Sequence, residues 1–170
     1  MNEALFEYRE PCGGAVWTID KALKSDAMYI AMFLRDVDER EISAVSGKSV
    51  YDAVMDSFTR SEICFSVRKG RGFPLLIFGV HPCTVVGNDF CCWMLATDDL
   101  ERAGSAFLRH CRMAADALSS HYHVMKNYVG VWNYRTLRWL RWCGFDVLPA
   151  RRVGLHGEMM HPVEKVWKEE

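Results

Sequence analysis

The chain has 170 residues, half of them hydrophobic and a quarter charged, with a formal net charge of −1. That length suits one domain with a sizeable core, residues 1–170. The composition is that of an ordinary globular protein, and it argues against a bilayer-spanning helix, since the longest apolar runs are far too short to cross. The acidic start, Met1 to Glu10, carries no apolar leader segment. Seven cysteines include no C-x-x-C, and Cys91, Cys92, Cys111 and Cys143 fall inside apolar segments, which predicts reduced, buried thiols. Residues 1–62 hold 12 acidic and 7 basic side chains, residues 63–170 hold 10 and 14, a mild bias that would steer an anionic ligand toward the second half.

In chain order, Trp17 to Ile19 reads as a first strand. Ala27, Ile30, Ala31 and Leu34 recur at helical steps and predict a helix over Asp26 to Leu34, capped by Ser25 or Asp26. Arg35 to Glu41 is a charged stretch after it. Val50, Ala53, Val54 and Phe58 predict a second helix over Ser49 to Phe58. Ile63 to Val67 alternates as a strand, Lys69 to Gly72 turns, and Phe73 to Val80 is a buried strand ended by His81-Pro82. Phe90 to Ala96 is continuously apolar, as a central strand covered on both faces must be. Phe107, Leu108, Cys111, Ala115 and Leu118 form the buried stripe of a helix over Gly104 to Ser119. A strand over Val124 to Trp132 leads to Asn133, whose side chain is suited to cap a helix carrying Leu137, Leu140 and Cys143. Gly144 stops that helix in a left-handed conformation. Strands over Phe145 to Leu148 and Met159 to Trp167 follow.

The order β-α-α-β-β-β-α-β-α-β-β, with the Asn-capped helix running to Gly144-Phe145, resembles the GNAT N-acyltransferase superfamily. The resemblance implies an α+β fold with a central mixed sheet flanked by about four helices. It implies acetyl-CoA as cofactor and no metal. The superfamily's pyrophosphate motif, Gln/Arg-x-x-Gly-x-Gly/Ala, falls on Glu101 to Ala106. Gly104 and Ala106 match it, whereas Glu101 replaces the usual Gln or Arg, and Asp98 and Asp99 precede it. The resemblance places Leu95, Ala96 and Thr97 against the thioester arm, Gly104, Ser105 and Ala106 at the pyrophosphate on a helix N-terminus, and Asn133 beside the cofactor. Many superfamily enzymes carry an acid tyrosine seven residues after the Asn; Leu140 stands there, and a missing general acid typically costs about 10²–10⁴ in rate.

A second set of pieces is similar to a family of tailed-phage internal virion or virion-assembly proteins with GNAT-like character. They are Arg35-x-x-Asp38-x-x-Glu41, Ser57 and Ser61, Gly72-x-Pro74 with Phe78-Gly79-Val80, Trp93-x-Leu95-x-Thr97, Asn127-Tyr128-Val129 and Asn133 through Gly144. This resemblance implies a phage gene product acting in particle assembly or as a modifying enzyme, in the host cytoplasm or with the virion.

Arg35, Asp38 and Glu41 step by three and would cluster if the preceding helix continues through them. Asp38 or Glu41 would then serve as the general base for an attacking amine; the alternative is a solvated helix end whose Arg–Asp pair is worth roughly 0–1 kcal/mol. His121 and His123 would share a face of a strand but lack a third ligand. Cys91 and Cys92 would point to opposite faces as small hydrophobes. Ser57 and Ser61 lack a positioned base. Trp132, Trp139 and Trp142 interleave with Arg135, Arg138 and Arg141 ahead of Arg151 and Arg152. That surface, 132–152, fits a phage or host protein partner better than single-stranded nucleic acid. Two functions stay open: an acetyl-CoA-dependent N-acetyltransferase, and a GNAT-like fold retained without catalysis as an assembly or interaction module.

Overall fold

The computed structural model describes residues 6–10, 14–83 and 89–167, the side chains of residues 102, 105, 106, 108 and 109 excepted. Two strands, β1 (Phe6–Arg9) and β2 (Val16–Lys21), lead into three helices, α1 (Lys24–Met32), α2 (Asp36–Val45) and α3 (Val50–Arg60). Strands β3 (Ile63–Lys69), β4 (Leu76–Pro82) and β5 (Asp89–Ala96) follow, then a 3-10 turn over Asp98–Arg102 and helix α4 (Gly104–Tyr122). Strand β6 (Val124–Gly130), helix α5 (Tyr134–Trp142) and strands β7 (Asp146–Val147), β8 (Arg151–Val153) and β9 (Glu158–Val166) complete the chain. All nine strands form one mixed sheet in the order β1-β2-β3-β4-β5-β6-β9-β7, with β8 also on β9. Neighbours are antiparallel except β5 and β6, which run parallel.

The α+β class and mixed sheet follow the sequence reading. The helices number five rather than about four, because the charged stretch after Arg35 opens a helix of its own, α2. Its first turn gathers Asp36, Asp38 and Glu39, which favour a helix N-terminus. The first helix begins at Lys24, since Asp26 Oδ2 accepts the Leu23 N–H (3.0 Å) and Asp26 also pairs with Arg68 (2.6 Å). His81 and Pro82 lie inside β4 opposite Cys91 and Phe90, at the sheet end where proline is tolerated. β6 stops at Gly130, short of Trp132.

One sheet face carries α1 and α3, whose Ala27, Ile30 and Val54 bury against Cys64, Ile77 and Trp93. The other carries α4 and α5: Leu137, Leu140 and Cys143 bury against Val80, Met125, Val129 and Val163, with Cys111, Ala115 and Leu118 packed on them. Each fully buried Leu, Ile or Val side chain contributes about 1.5–3 kcal/mol.

Helix α5 is fixed at both ends by its own residues. Asn133 Oδ1 accepts the Thr136 N–H (3.3 Å). At the far end Gly144 adopts φ 83°, the Phe145 N–H donates to Leu140 O (3.0 Å) and the Gly144 N–H to Arg141 O (3.0 Å). That is the paired bonding of a left-handed glycine stop, with Leu140 and Phe145 sharing the core beneath it.

Candidate functional site

The site is a gap in the sheet between β5 and β6, and the pairing pattern defines its edges. The two strands pair only over Asp89–Cys91 and Val124–Lys126. Beyond that they part. Backbone groups alternate sides along a strand, so on β5 those of Cys92, Met94 and Ala96 face β6, while those of Leu95 and Thr97 face β4. The Thr97 N–H donation to Leu75 O (2.9 Å) fixes this parity. On β6, Tyr128 and Gly130 face β5, since Val131 N–H donates outward to Met159 O (3.2 Å).

Each rung that would close the gap has been taken by something else. The amide of Asn127 stands between Cys92 and Tyr128, donating from Nδ2 to Cys92 O (2.7 Å) and accepting the Tyr128 N–H at Oδ1 (2.7 Å). The Gly130 N–H donates to Glu41 Oε1 (2.9 Å). The Ala96 N–H donates to Asp38 Oδ2 (3.0 Å), and Ala96 O accepts the Arg35 N–H (3.0 Å). Gly130 O accepts the Asn133 N–H (2.9 Å). Between these ties the Met94 N–H and the Tyr128 carbonyl face the gap with no partner among the described residues.

Helix α2 thus closes the open end of the gap with two carboxylates. Asp38 is buried, held by Arg35 through Nε (3.0 Å) and Nη2 (2.8 Å) as well as by Ala96. Burial raises its pKa from the ordinary carboxylate value, making it a weaker acid, and the Arg35 guanidinium opposes that rise. Glu41 Oε1 accepts from Gly130 and from Asn133 Nδ2 (3.0 Å), which leaves Oε2 for a proton. Burial pushes the Glu41 pKa up to about 7, against the opposing pull of its two hydrogen bonds. A carboxyl titrating near neutrality is suited to general acid–base work.

A cavity of about 140 Å³ reaches from Asp38 and Glu41 through the gap to the space under α4 and α5. Met94, Phe107, Ala114 and Trp139 give it an apolar wall, and Asn127 lies at its edge. Cys92 and Cys111 also line it, but burial raises both thiols well above their ordinary range, so neither supplies a thiolate nucleophile.

The structure brings Asp38, Glu41, Ala96 and Asn133 together at the mouth of the gap. It sets Leu95 apart: its side chain packs toward α1 and α3 and its backbone turns to β4. Thr97 likewise bonds Leu75 O, through N (2.9 Å) and Oγ1 (3.3 Å). Asn133 is spent on the α5 cap and on Glu41. Gly104 opens α4 at φ 75°, and apart from its chain neighbours and its own helix backbone nothing lies within 4 Å of where a Cβ would stand. Ser105 and Ala106 fall in the first turn of α4, their side chains outside the described ones. Glu101 turns from the α4 entrance to pair with Arg135 on the first turn of α5.

Met94 and Asn127 were not singled out as site residues by sequence. The donor parity of Met94 depends on strand register alone. Asn127 left a faint signal, a polar residue of low strand preference inside β6.

The other candidates resolve simply. His121 lies in the last turn of α4 and His123 is its cap at φ 56°, so they do not share a strand face. Ser61 accepts the Trp93 Nε1–H (2.8 Å) and donates to Ser57 O (2.8 Å). Trp132 lies under the Arg40 guanidinium (3.9 Å) and Trp139 packs into the core, while Trp142 is exposed near Arg112 (5.8 Å). Among the described residues no helix is long and apolar enough to cross a membrane.

Neither a protein-family model nor a curated protein matches the sequence. Solved structures do match the fold. yncA from Salmonella typhimurium, solved with its cofactor acetyl-CoA, superposes with a TM-score of 0.66 at 13% identity, over 91% of this chain and 95% of that one. A chimera of the spermidine N-acetyltransferase SpeG from Vibrio cholerae and hSSAT gives 0.63 at 12% identity, over 88% and 95%. The Vibrio cholerae spermidine N-acetyltransferase in complex with CoA and spermine gives 0.59 at 12% identity over the same shares. The chain therefore has the fold of the GNAT acetyltransferases. These matches lend no support to the phage virion-assembly family.

Proposed function

We propose that this protein is a GNAT-type N-acyltransferase that holds the thioester of acetyl-CoA in the gap between β5 and β6 and passes the acyl group to an amine. The observation that carries the reading is the gap itself: an unpartnered Met94 N–H, an apolar cavity behind it and a carboxyl titrating near 7 at its mouth. Similar structures were solved with acetyl-CoA or CoA.

The residues present fit the cofactor's thioester end. Acetyl-CoA supplies an activated acyl carbon. The Met94 N–H is the one backbone donor of β5 left facing the gap, and it would polarise the thioester carbonyl. Glu41, ionised above pH about 7, takes the proton of the acceptor amine as the C–N bond forms and the C–S bond breaks. Leu140 offers no proton, so solvent protonates the departing thiolate. Asp38 and Arg35 hold α2 on the end of β5 and keep Glu41 in place. Gly104, Ser105 and Ala106 provide the helix N-terminus for the pyrophosphate. The test is thiol release from acetyl-CoA across a panel of primary amines and polyamines. Amine-dependent release that falls about 10²–10⁴-fold in Glu41→Gln supports the reading; amine-independent release, or none, counts against it.

A second reading keeps the fold without catalysis, as a phage-encoded assembly module. Leu140 at the acid position favours it, as does the exposed face of Arg138, Arg141 and Trp142 on α5. Co-purification with particle components, by wild type and not by Trp142→Ala, is its test.

A further inference from the structure

We infer that Asn127 is a positioning residue that holds β5 and β6 apart. This rests on the reading of the gap as the acyl site, although its physical core does not need it. In a continued parallel ladder the Tyr128 N–H would donate to Cys92 O, and the Met94 N–H to Tyr128 O. The side-chain amide of Asn127 stands inside the first of these rungs, with 2.7 Å bonds to both of its members. One interstrand hydrogen bond has become two through an inserted amide, which satisfies both backbone groups while spreading the strands. The next rung is then out of reach, and the Met94 N–H is left facing the cavity that Asn127 borders.

Asparagine suits this task and few residues do. It carries a donor and an acceptor on one planar group, so it can serve a carbonyl and an amide at once. Asp would lose the donor to Cys92, and an aliphatic residue would lose both. Asp38 and Glu41 hold the gap at its other end, so the opening is framed on both sides by side chains standing in for backbone rungs.

Amide hydrogen exchange tests this on Asn127→Ala and on Asn127→Val, whose branched aliphatic side chain suits a strand and carries neither donor nor acceptor. In the wild type the Met94 amide exchanges freely while the Lys126 amide is protected. In the variants the strands close by two rungs, Met94 exchange slows by roughly tenfold or more, and acetyl-CoA affinity falls by about the same factor. Thermal stability is kept, because lost side-chain bonds are replaced by backbone ones. A merely structural Asn127 would instead lower stability and leave Met94 exchange fast. A protected Met94 amide in the wild type, or unchanged exchange in a folded variant, overturns the inference. If exchange responds as stated but neither protein binds acetyl-CoA, the acyltransferase reading fails and the role of Asn127 stands.

Discussion

Asp38 and Glu41 lie one helical turn apart on α2, yet they bind different strands: Asp38 accepts the Ala96 N–H of β5, and Glu41 the Gly130 N–H of β6. One helix face therefore spans the open end of the sheet's gap. The two carboxylates have different work. Asp38 is saturated by Arg35 and Ala96, whereas Glu41 keeps a free oxygen and a pKa near 7.

Glu41→Gln is expected to stabilise the protein above neutral pH. The folded pKa of about 7 lies above the ordinary value of 4.5, so the contribution of the protonated form is complete below 4.5 and is lost as pH rises through 7. Gln keeps an oxygen for Gly130 and Asn133 and never ionises. Denaturant unfolding at pH 8 is expected to show a gain of up to roughly 3 kcal/mol, vanishing at pH 4. The same variant is expected to lose the proposed acyl transfer in the thiol-release assay, which separates the cost of the buried carboxylate from its use.

Asp38→Ala is expected to behave oppositely. It leaves the Arg35 guanidinium, whose side chain is 12% exposed, and the Ala96 N–H without their acceptor. Breaking a buried pair in this way costs about 3–5 kcal/mol, read as a shift in the denaturation midpoint.

Gly130 lies against its own turn. A Cβ there would stand 2.3 Å from the Trp132 ring, which is itself held under Arg40. Gly130→Ala is expected to lose about 1–3 kcal/mol in urea unfolding and, by moving the Gly130 N–H, to lower the Glu41-dependent rate.

Glu101 and Arg135 join the entrance of α4 to the first turn of α5, with side chains 58% and 66% exposed. An exposed pair of this kind is worth no more than ~1 kcal/mol. Glu101→Gln is expected to leave the melting temperature unchanged and, by freeing Arg135 for a phosphate, to tighten acetyl-CoA binding by up to roughly fivefold in calorimetry.

The parts of the fold set by local chemistry were legible in the sequence. The Asn133 cap, the Leu137–Leu140 stripe and the Gly144 stop depend on residues within one helix, and all three appear as read. Helix α2 opens on a run of charged residues that shows no helical stripe of its own; bonds from Asp38 and Glu41 to distant strand ends help hold it, and those are tertiary. β1 and β8 are short strands completed by their neighbours, so neither carries a pattern of its own. At the site, Asp38 and Glu41 were visible by their spacing. The choice between Met94 and Leu95 was not, because a one-residue change of register swaps which backbone groups face the gap.

Whether the gap between β5 and β6 receives an acyl thioester is decided by calorimetric titration of the wild-type protein with acetyl-CoA. Saturable binding is expected at one site per chain with a Kd of about 1 μM to 1 mM, the range common for enzyme substrates. Absence of any binding heat at millimolar acetyl-CoA, across the temperatures at which the protein is folded, would rule out an acyl-thioester site in the gap.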